Sequence, residues 1–441
     1  MARLAAVSLL ILALGACAPE APPPPARIVL IVVDMLRRDH VGAYGASRPT
    51  PNLDRVAQGG QVVKDALSSY GSTKCSMAAL FTGRTPSLGT DEPEEARFGG
   101  PTSCGMARFA DRPDHRCLPE TLPTLAEGMR ALGYETLGVT SNLFLYDPDG
   151  FSRGFEHWIE VGARTLAELE ADAPRPTSGA YGGTLAPSVN AAVRDVLERR
   201  SSDRFFLYVH FMDVHDHAEV GQSYAEGVAR ADAGVGALLD ELARRGLLED
   251  ALVVLTSDHG ERLGELHAVR GMPQHYGNPT FDYLLEVPLL ASRPVLPEDG
   301  PPIRGQDLGG LLLAAAGGEA PPPADVAQGE LFLSEWVWQG LRVDGWKLMR
   351  RRDGGRRLLM DLARDPLERR DVAPAQPERV RALEERLDEI ATLLGARPVG
   401  RSEWSEEERR RLEALGYVAS PEEAEALWED APAGPSEPSE P

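Results

Sequence analysis

Three long apolar runs are the sequence feature that most constrains the fold of this chain. Each run also ends on a residue type that commonly binds metal ions. They span residues 27–34, 205–215 and 251–259, and they end on Asp34, on His215 and on the pair Asp258 and His259. Continuous Val, Ile and Leu runs are typical of strands buried on both faces, as in a parallel sheet covered by helices. Ligands bind at the carboxyl ends of such strands. We therefore expect these side chains to meet at one edge and hold a divalent cation.

Strand-like and helix-like segments alternate along the first 320 residues. Helical patterns are found from Pro51 onward, in residues 122–132 and in residues 222–245. Residues 61–67 and 135–142 have the composition of strands. This order predicts the α/β class, with a large, mixed, mostly parallel sheet flanked by helices in a domain over residues 28–320. A chain of 441 residues is long enough for this domain and a smaller unit.

The smaller unit is predicted beyond a Pro- and Gly-rich boundary near residue 320. Short alternating segments that begin at Glu330, Leu341 and Arg357 indicate antiparallel strands, and a helix is expected from Pro377 to Leu394. A small α+β subdomain over residues 321–420 fits this pattern. The acidic, low-complexity residues 421–441 are expected to be disordered.

The N-terminus has the layout of an export signal. Arg3 precedes the apolar run 5–14, which is too short to span a membrane and leads into Leu14-Gly15-Ala16-Cys17. Residues 1–17 resemble a bacterial lipoprotein signal peptide, which implies acylation of Cys17, with 18–27 as a proline-rich tether. An uncleaved anchor or a chance apolar start is the alternative. The expected location is the bacterial cell envelope, lipid-anchored on its periplasmic or extracellular face.

Charge and cysteine content limit the partners and the redox state. The formal charge of −22 argues against a nucleic-acid partner, which would require a concentrated basic surface. Export implies an oxidising compartment, where Cys104 and Cys117 either form a disulfide or remain two free thiols. If they form the disulfide, we expect Cys75 to remain outside it.

A Gly-Ser-Thr segment is predicted to lead into a helix, with Thr73 at or near the N-cap. Ser and Thr are common caps, so an ordinary capping role is one interpretation. The other is catalytic, because a helix N-terminus offers amide donors and a positive dipole to an anionic ester. A hydroxyl there, coordinated to a cation, is able to lose its proton and attack.

At these positions the chain resembles the sulfatase branch of the alkaline phosphatase superfamily. The resemblance extends over most of residues 27–420 and depends on the shared order of motifs that are individually weak. The segments that carry it are Ile28–Gly45, Pro51–Gly60, Leu122–Thr136, Phe155–Trp158, Phe206–His215, Leu252–Glu265, Phe281–Leu290, Gly345–Arg351 and Leu412–Val418.

The resemblance implies an alkaline phosphatase-like fold and a role for each site residue. Asp34, Asp258 and His259 correspond to metal ligands, which together with the Thr73 hydroxyl would hold one divalent cation, Ca or Mn. His215 corresponds to the histidine that holds an oxygen of the bound ester. His275 lies close to the position of a residue that supports the leaving group. His210, inside a strand, is interpreted as structural.

Several positions depart from the family pattern. Thr73 stands at the nucleophile position, and Cys75 is offset from it and lacks the Pro and Arg that formylglycine formation needs, so we expect no formylglycine at Cys75. Met35 replaces a second metal-binding Asp, and Met77 replaces an Arg or His that supports the nucleophile. A Thr nucleophile with an Asp-His pair resembles the phosphoesterases and phosphoglycol transferases of the family.

The sequence therefore predicts a metal-dependent hydrolase that cleaves sulfate or phosphate esters through a metal-bound Thr73. The expected substrate is a small-molecule or glycan ester. One alternative is an envelope phosphoalcohol transferase or phosphodiesterase, and another is a binding homologue that has lost catalysis. Activity on matched esters and metal analysis discriminate among these three.

Overall fold

The structure of the protein is a computed structural model. It describes residues 23–85, 118, 122–145, 150–162, 184–265, 280–297, 300–319, 329–334, 338–351 and 355–393. Cys17, Cys104, Cys117 and His275 lie outside these residues, so acylation, the disulfide and the leaving-group role stay predictions. Within the described part of the chain, no helix combines the length and the apolar composition needed to cross a bilayer.

The secondary-structure elements are numbered here in chain order. The strands are β1 (Arg27–Val33), β2 (Gln61–Val62), β3 (Ala66–Leu67), β4 (Glu135–Thr140), β5 (His157–Glu160), β6 (Phe205–Phe211), β7 (Ala251–Thr256), β8 (Leu289–Ala291), β9 (Ile303–Arg304), β10 (Leu331–Ser334), β11 (Trp338–Val343), β12 (Trp346–Arg351) and β13 (Arg357–Asp361). The α-helices are α1 (Pro51–Val56), α2 (Thr73–Thr82), α3 (Leu125–Ala131), α4 (Ala186–Arg199), α5 (Tyr224–Arg244), α6 (Asp282–Leu285), α7 (Gly305–Ala315) and α8 (Pro377–Leu393).

The main sheet has seven strands in the order β2-β8-β7-β1-β6-β4-β5. The five strands from β7 to β5 are parallel, and β8 and β2 add antiparallel pairings at one edge. The three apolar runs of the sequence are β1, β6 and β7, which lie side by side in its centre, with Arg27 in register with Phe205 and Ala251. The predicted mixed, mostly parallel sheet is confirmed.

Helices cover both faces of this sheet, which explains why its central strands carry apolar residues on both faces. Ile28, Leu30 and Val32 of β1 pack in the cluster that contains residues of α2, α3 and α7. The alternate residues of β1 pack in a second cluster with residues of α1, α4 and α5. Because side chains alternate along a strand, Asp34 follows Val32 on the α2 face.

The sequence prediction of one strand over residues 61–67 is wrong. The segment forms two short strands in different sheets, since β2 pairs with β8 and β3 pairs with β9. Each of these pairings joins residues more than 200 positions apart, so the local composition contains no signal for the break between them.

The C-terminal subdomain is a four-stranded antiparallel sheet, β10 to β13, with α8 packed on one face. The run that begins at Leu341 is not one strand but part of the β11–β12 hairpin, in which Val343 pairs with Trp346. Its two turn residues, Asp344 and Gly345, both have positive φ, at 50° and 76°. An Asp-Gly pair suits such a turn, because Gly adopts positive φ without steric cost and Asp tolerates it.

Candidate active site

Three neighbouring strands deliver the predicted ligands to one edge of the main sheet. Asp34 follows β1, Asp258 and His259 follow β7, and His215 lies in a short 3-10 turn after β6. The carboxyl ends of parallel strands point to the same edge, which is why residues about 220 positions apart meet. Thr73 is the first residue of α2, the helix that covers the face of the main sheet on which Asp34 lies.

Asp34, Asp258 and His259 form a buried group suited to a metal ion. Their ligand atoms all lie within 4.8 Å of one another. His259 Nε2 is 3.5 Å from Asp258 Oδ2 and 4.0 Å from Asp34 Oδ1. Neither of these two carboxylate oxygens accepts a hydrogen bond from any described residue. A buried carboxylate oxygen without a donor is costly unless a cation binds it, so the donor set fits a hard divalent ion.

The other oxygen of each carboxylate is held by hydrogen bonds. Asp34 Oδ2 accepts one from Asn142 Nδ2 at 2.7 Å and lies 3.0 Å from His210 Nε2. Asp258 Oδ1 accepts from the backbone amides of Met35 at 3.1 Å and His259 at 2.9 Å. Each carboxylate is thus fixed through one oxygen while the other faces the centre of the group.

The Thr73 hydroxyl points into the same group. Its Oγ1 donates to Asp34 Oδ2 at 3.4 Å and lies 3.3 Å from His259 Nε2. Ser72, not Thr73, is the N-cap of α2, and no side-chain hydrogen bond caps this helix. The Thr73 hydroxyl therefore does not act as the cap of α2.

His215 is held as an imidazolium beside this group. Burial favours the neutral ring, but a hydrogen bond to Asp216 and the charges of Asp34, Asp216 and Glu261 raise the pKa of His215 to about 9. Its Nδ1 lies 2.9 Å from Asp216 Oδ1. A charged imidazole can hold an anionic oxygen or give a proton to a leaving alcohol.

Asp34 is ionised although it is fully buried. Burial alone would raise its pKa, yet the hydrogen bond with His210 and the charges of His215 and His259 bring the pKa of Asp34 well below its usual range. The carboxylate is therefore available as a cation ligand at any neutral pH.

Two polar residues of this site were not predicted as site residues from the sequence. Asn142 follows β4 at the same sheet edge, so the rule that identified Asp34 applies to it as well. His210, interpreted as structural, contacts Asp34 directly from within β6. Met35 and Met77 are both buried in apolar clusters and bring no polar atom to the group.

Several known proteins that are similar to this chain are sulfatases. The sulfatase family model matches residues 26–299. Arylsulfatase A of Homo sapiens is 30% identical over 296 residues, covering 57% of this chain and 55% of that protein. N-acetylgalactosamine-6-sulfatase of Rattus norvegicus is 27% identical over 289 residues, covering 57% and 53%. The chain thus spans about half the length of the curated relatives it matches.

Solved structures with a similar fold include enzymes named for different esters. A 2-O GAG sulfatase has a TM-score of 0.60 at 16% identity and covers 84% of this chain and 93% of that chain. Phosphonate monoester hydrolase of Agrobacterium radiobacter has a TM-score of 0.58 at 17% identity, covering 87% and 98%. At these identities the similarity concerns the fold alone. Because the family model matches more than half of the 441 residues, the chain belongs to the sulfatase family.

Proposed function

We propose that this protein is a cation-dependent hydrolase of sulfate esters with Thr73 as its nucleophile. One observation carries the proposal: the buried Thr73 hydroxyl lies 3.3 Å from His259 Nε2 and 3.4 Å from Asp34 Oδ2, beside two carboxylate oxygens that accept no hydrogen bond from the described residues. Asp34, Asp258 and His259 would hold the cation. When bound, a divalent cation stabilises the negative charge of the ester and lowers the pKa of a hydroxyl beside it.

The first step transfers the sulfuryl group to Thr73. Thr73 Oγ1 forms a bond to sulfur while the bond from sulfur to the alcohol oxygen breaks. The hydroxyl proton passes to solvent water, because Asp34, whose pKa is held low, does not retain a proton. The His215 imidazolium gives its proton to the departing alcohol, which avoids release of an alkoxide.

The second step regenerates the free Thr73 hydroxyl. Water forms a bond to the sulfur of the threonine sulfate, and the bond between that sulfur and Thr73 Oγ1 breaks. The neutral His215 takes a proton from the attacking water, and Thr73 Oγ1 regains a proton from solvent. Alcohol and sulfate are the products, and no further reactant is required.

The names of the relatives support an aryl sulfate or a sulfated sugar as substrate. An aryl sulfate is the practical first substrate, with Ca²⁺ or Mn²⁺ added. We expect Thr73→Ala to lower turnover by roughly a thousandfold or more, as loss of a nucleophile does in hydrolases that form a covalent intermediate. Chelation should abolish turnover of the parent protein, and the cation should restore it.

Thr82→Ala is the matched control for this experiment. Thr82 lies at the other end of α2, and its hydroxyl donates to Ala78 O at 2.7 Å. Its removal therefore changes the same helix without changing the contacts of Thr73 with Asp34 and His259. Turnover should stay within a few-fold of the parent protein. Unchanged turnover in Thr73→Ala would exclude the nucleophile role.

A phosphate or phosphonate ester is the second candidate substrate. The hydroxyl of Thr73, in place of a formylglycine precursor, favours it, and one solved structure of the same fold is a phosphonate monoester hydrolase. Aryl sulfate, aryl phosphate diester and aryl phosphonate should be assayed with the same leaving group. The ratio of their kcat/KM values decides between sulfur and phosphorus, and cation binding without turnover on any ester supports a binding homologue.

A further inference from the structure

His210 is a fully buried histidine in the middle of an apolar strand. Its neighbours Val209 and Phe211 are buried in the core, and its own side chain has no exposed surface. Among the described residues, two polar groups lie within hydrogen-bonding distance of its ring: Tyr208 OH is 2.7 Å from Nδ1, and Asp34 Oδ2 is 3.0 Å from Nε2. Both ring nitrogens are therefore satisfied, as a buried imidazole requires.

The partners of the ring determine which nitrogen carries the proton. The Asp34 carboxylate only accepts hydrogen bonds, so Nε2 must donate to it. In the neutral ring Nδ1 is then an acceptor, and the Tyr208 hydroxyl donates to it. Burial, together with the charges of Asp258 and Asp34, raises the pKa of Tyr208 well above its usual value, so this phenol keeps its proton.

This chain of two hydrogen bonds ends on Asp34 Oδ2, the oxygen to which the Thr73 hydroxyl also donates. Asp34 Oδ2 also accepts from Asn142 Nδ2 at 2.7 Å, and Asp34 N donates to Phe211 O at 2.9 Å. A carboxylate is planar, so these two donors on Oδ2, together with the Thr73 hydroxyl, fix the direction of Oδ1. Asp34 Oδ1 is the oxygen that accepts no hydrogen bond within the described residues.

We propose that His210, with its ring orientation held by Tyr208, is a positioning residue that aims Asp34 Oδ1 at the cation. Partners that orient a metal ligand in this way typically change metal affinity by about 10- to 100-fold when removed. The inference rests on the cation centre of the proposed function, but it concerns binding of the ion and not turnover of an ester.

The test measures the affinity of the purified protein for Ca²⁺ and Mn²⁺ by titration calorimetry. His210→Ala should weaken binding by roughly 10- to 100-fold. His210→Gln should recover most of this loss, because a Gln amide can place its nitrogen near the position of Nε2. Tyr208→Phe should weaken binding by a smaller factor, since it frees the ring orientation without removing the donor to Asp34.

Tyr134→Phe is the matched control for Tyr208→Phe. The Tyr134 hydroxyl is also buried and donates to Pro25 O at 2.6 Å. Its variant should lose some thermal stability and keep the cation affinity of the parent protein. If His210→Ala does not fold, the Gln and Phe variants still test the proposal.

Two results would overturn the proposal. One is equal cation affinity in the folded His210 variants and the parent protein, with only the melting temperature lowered, because this indicates a packing role alone. The other is a parent protein that binds neither cation, which would also remove the proposed function. A parent protein that binds the cation and cleaves no ester removes the function only, and the affinities of the variants still decide the role of His210.

Discussion

At the scale of single residues, Met35 occupies the position next to Asp34 with an unusual backbone. Its φ is +60°, a left-handed conformation that is costly for most residues with a side chain. The backbone is fixed on both sides, since Met35 N donates to Asp258 Oδ1 at 3.1 Å and Met35 O accepts from Tyr224 OH at 2.6 Å. The side chain packs into the cluster formed with α1, α4 and α5, on the other face from Thr73.

This orientation predicts that Met35→Asp does not create a further metal ligand. The carboxylate would replace an apolar side chain in the core, so we expect unfolding to become easier by roughly 3 kcal/mol or more, with no gain in Ca²⁺ affinity. Met35→Leu keeps the volume and the backbone strain, and should cost less than about 1.5 kcal/mol. Urea unfolding and calorimetry measure both quantities. Tighter cation binding by Met35→Asp would show that the side chain at position 35 reaches the group formed by Asp34, Asp258 and His259.

At the scale of elements, the helices that cover the sheet begin in two different ways. Helix α5 begins with a capping box, in which Ser223 and Glu226 satisfy each other's amides. Helix α1 has no side-chain cap of its own at Thr50. Its first amides are satisfied by Asp232 of α5, which accepts from Asn52 N and Leu53 N, each at 2.9 Å.

Removal of this contact between helices should destabilise the protein. We expect Asp232→Ala to lower the free energy of unfolding by about 2 kcal/mol, because it leaves two amides at the start of α1 without an acceptor. Asp240→Ala is the control on the same helix, since Asp240 is exposed and pairs with Arg55 of α1 at 2.7 Å. An exposed ion pair contributes less than about 1 kcal/mol. Equal losses in the two variants would contradict a capping role for Asp232.

At the scale of the whole molecule, buried charges join the C-terminal sheet to the main domain. Lys347 of β12 is fully buried, and its Nζ lies 2.5 Å from Asp282 Oδ1, 2.7 Å from Glu368 Oε1 and 3.0 Å from Thr280 O. Arg342 of β11 lies 2.9 Å from the other oxygen of Asp282. Loss of Lys347 would leave Glu368 without the cation it contacts in this buried cluster.

The same cluster predicts a pH dependence of stability. Burial raises the pKa of Glu368 from 4.5 to about 7 and outweighs the opposing charge of Lys347. The folded state therefore holds this proton more tightly than the unfolded state. The resulting stabilisation is fully present below pH 4.5 and is lost as the pH rises through about 7.

Thermal melts across this pH range test the assignment. Glu368→Gln mimics the protonated form, so its melting temperature should fall less between about pH 4.5 and 7 than that of the parent protein. The control is Glu385→Gln at an exposed position on α8, which should keep the pH profile of the parent. A profile unchanged by Glu368→Gln would contradict the raised pKa.

The sequence by itself determined the α/β class, the three central strands and the residues at their ends. These features follow from local patterns, because an apolar run indicates a strand buried on both faces and a polar residue after it lies at the ligand-binding edge. It likewise indicated that Thr73 lies at the start of a helix, and the structure puts its hydroxyl beside Asp34 and His259.

Only the tertiary structure decided which side chains complete the group. His210 reaches Asp34 because β6 lies beside β1 with Val32 in register with His210, and Asn142 arrives from β4 on the far side of β6. Asp232 caps α1 although it lies 180 positions from Asn52 in the sequence. Residues 61–67 likewise divide between two sheets because they pair with strands far away in the sequence. Such contacts depend on strand order, register and helix packing, which are set by the energy of the whole core and leave no periodic signal in any one segment.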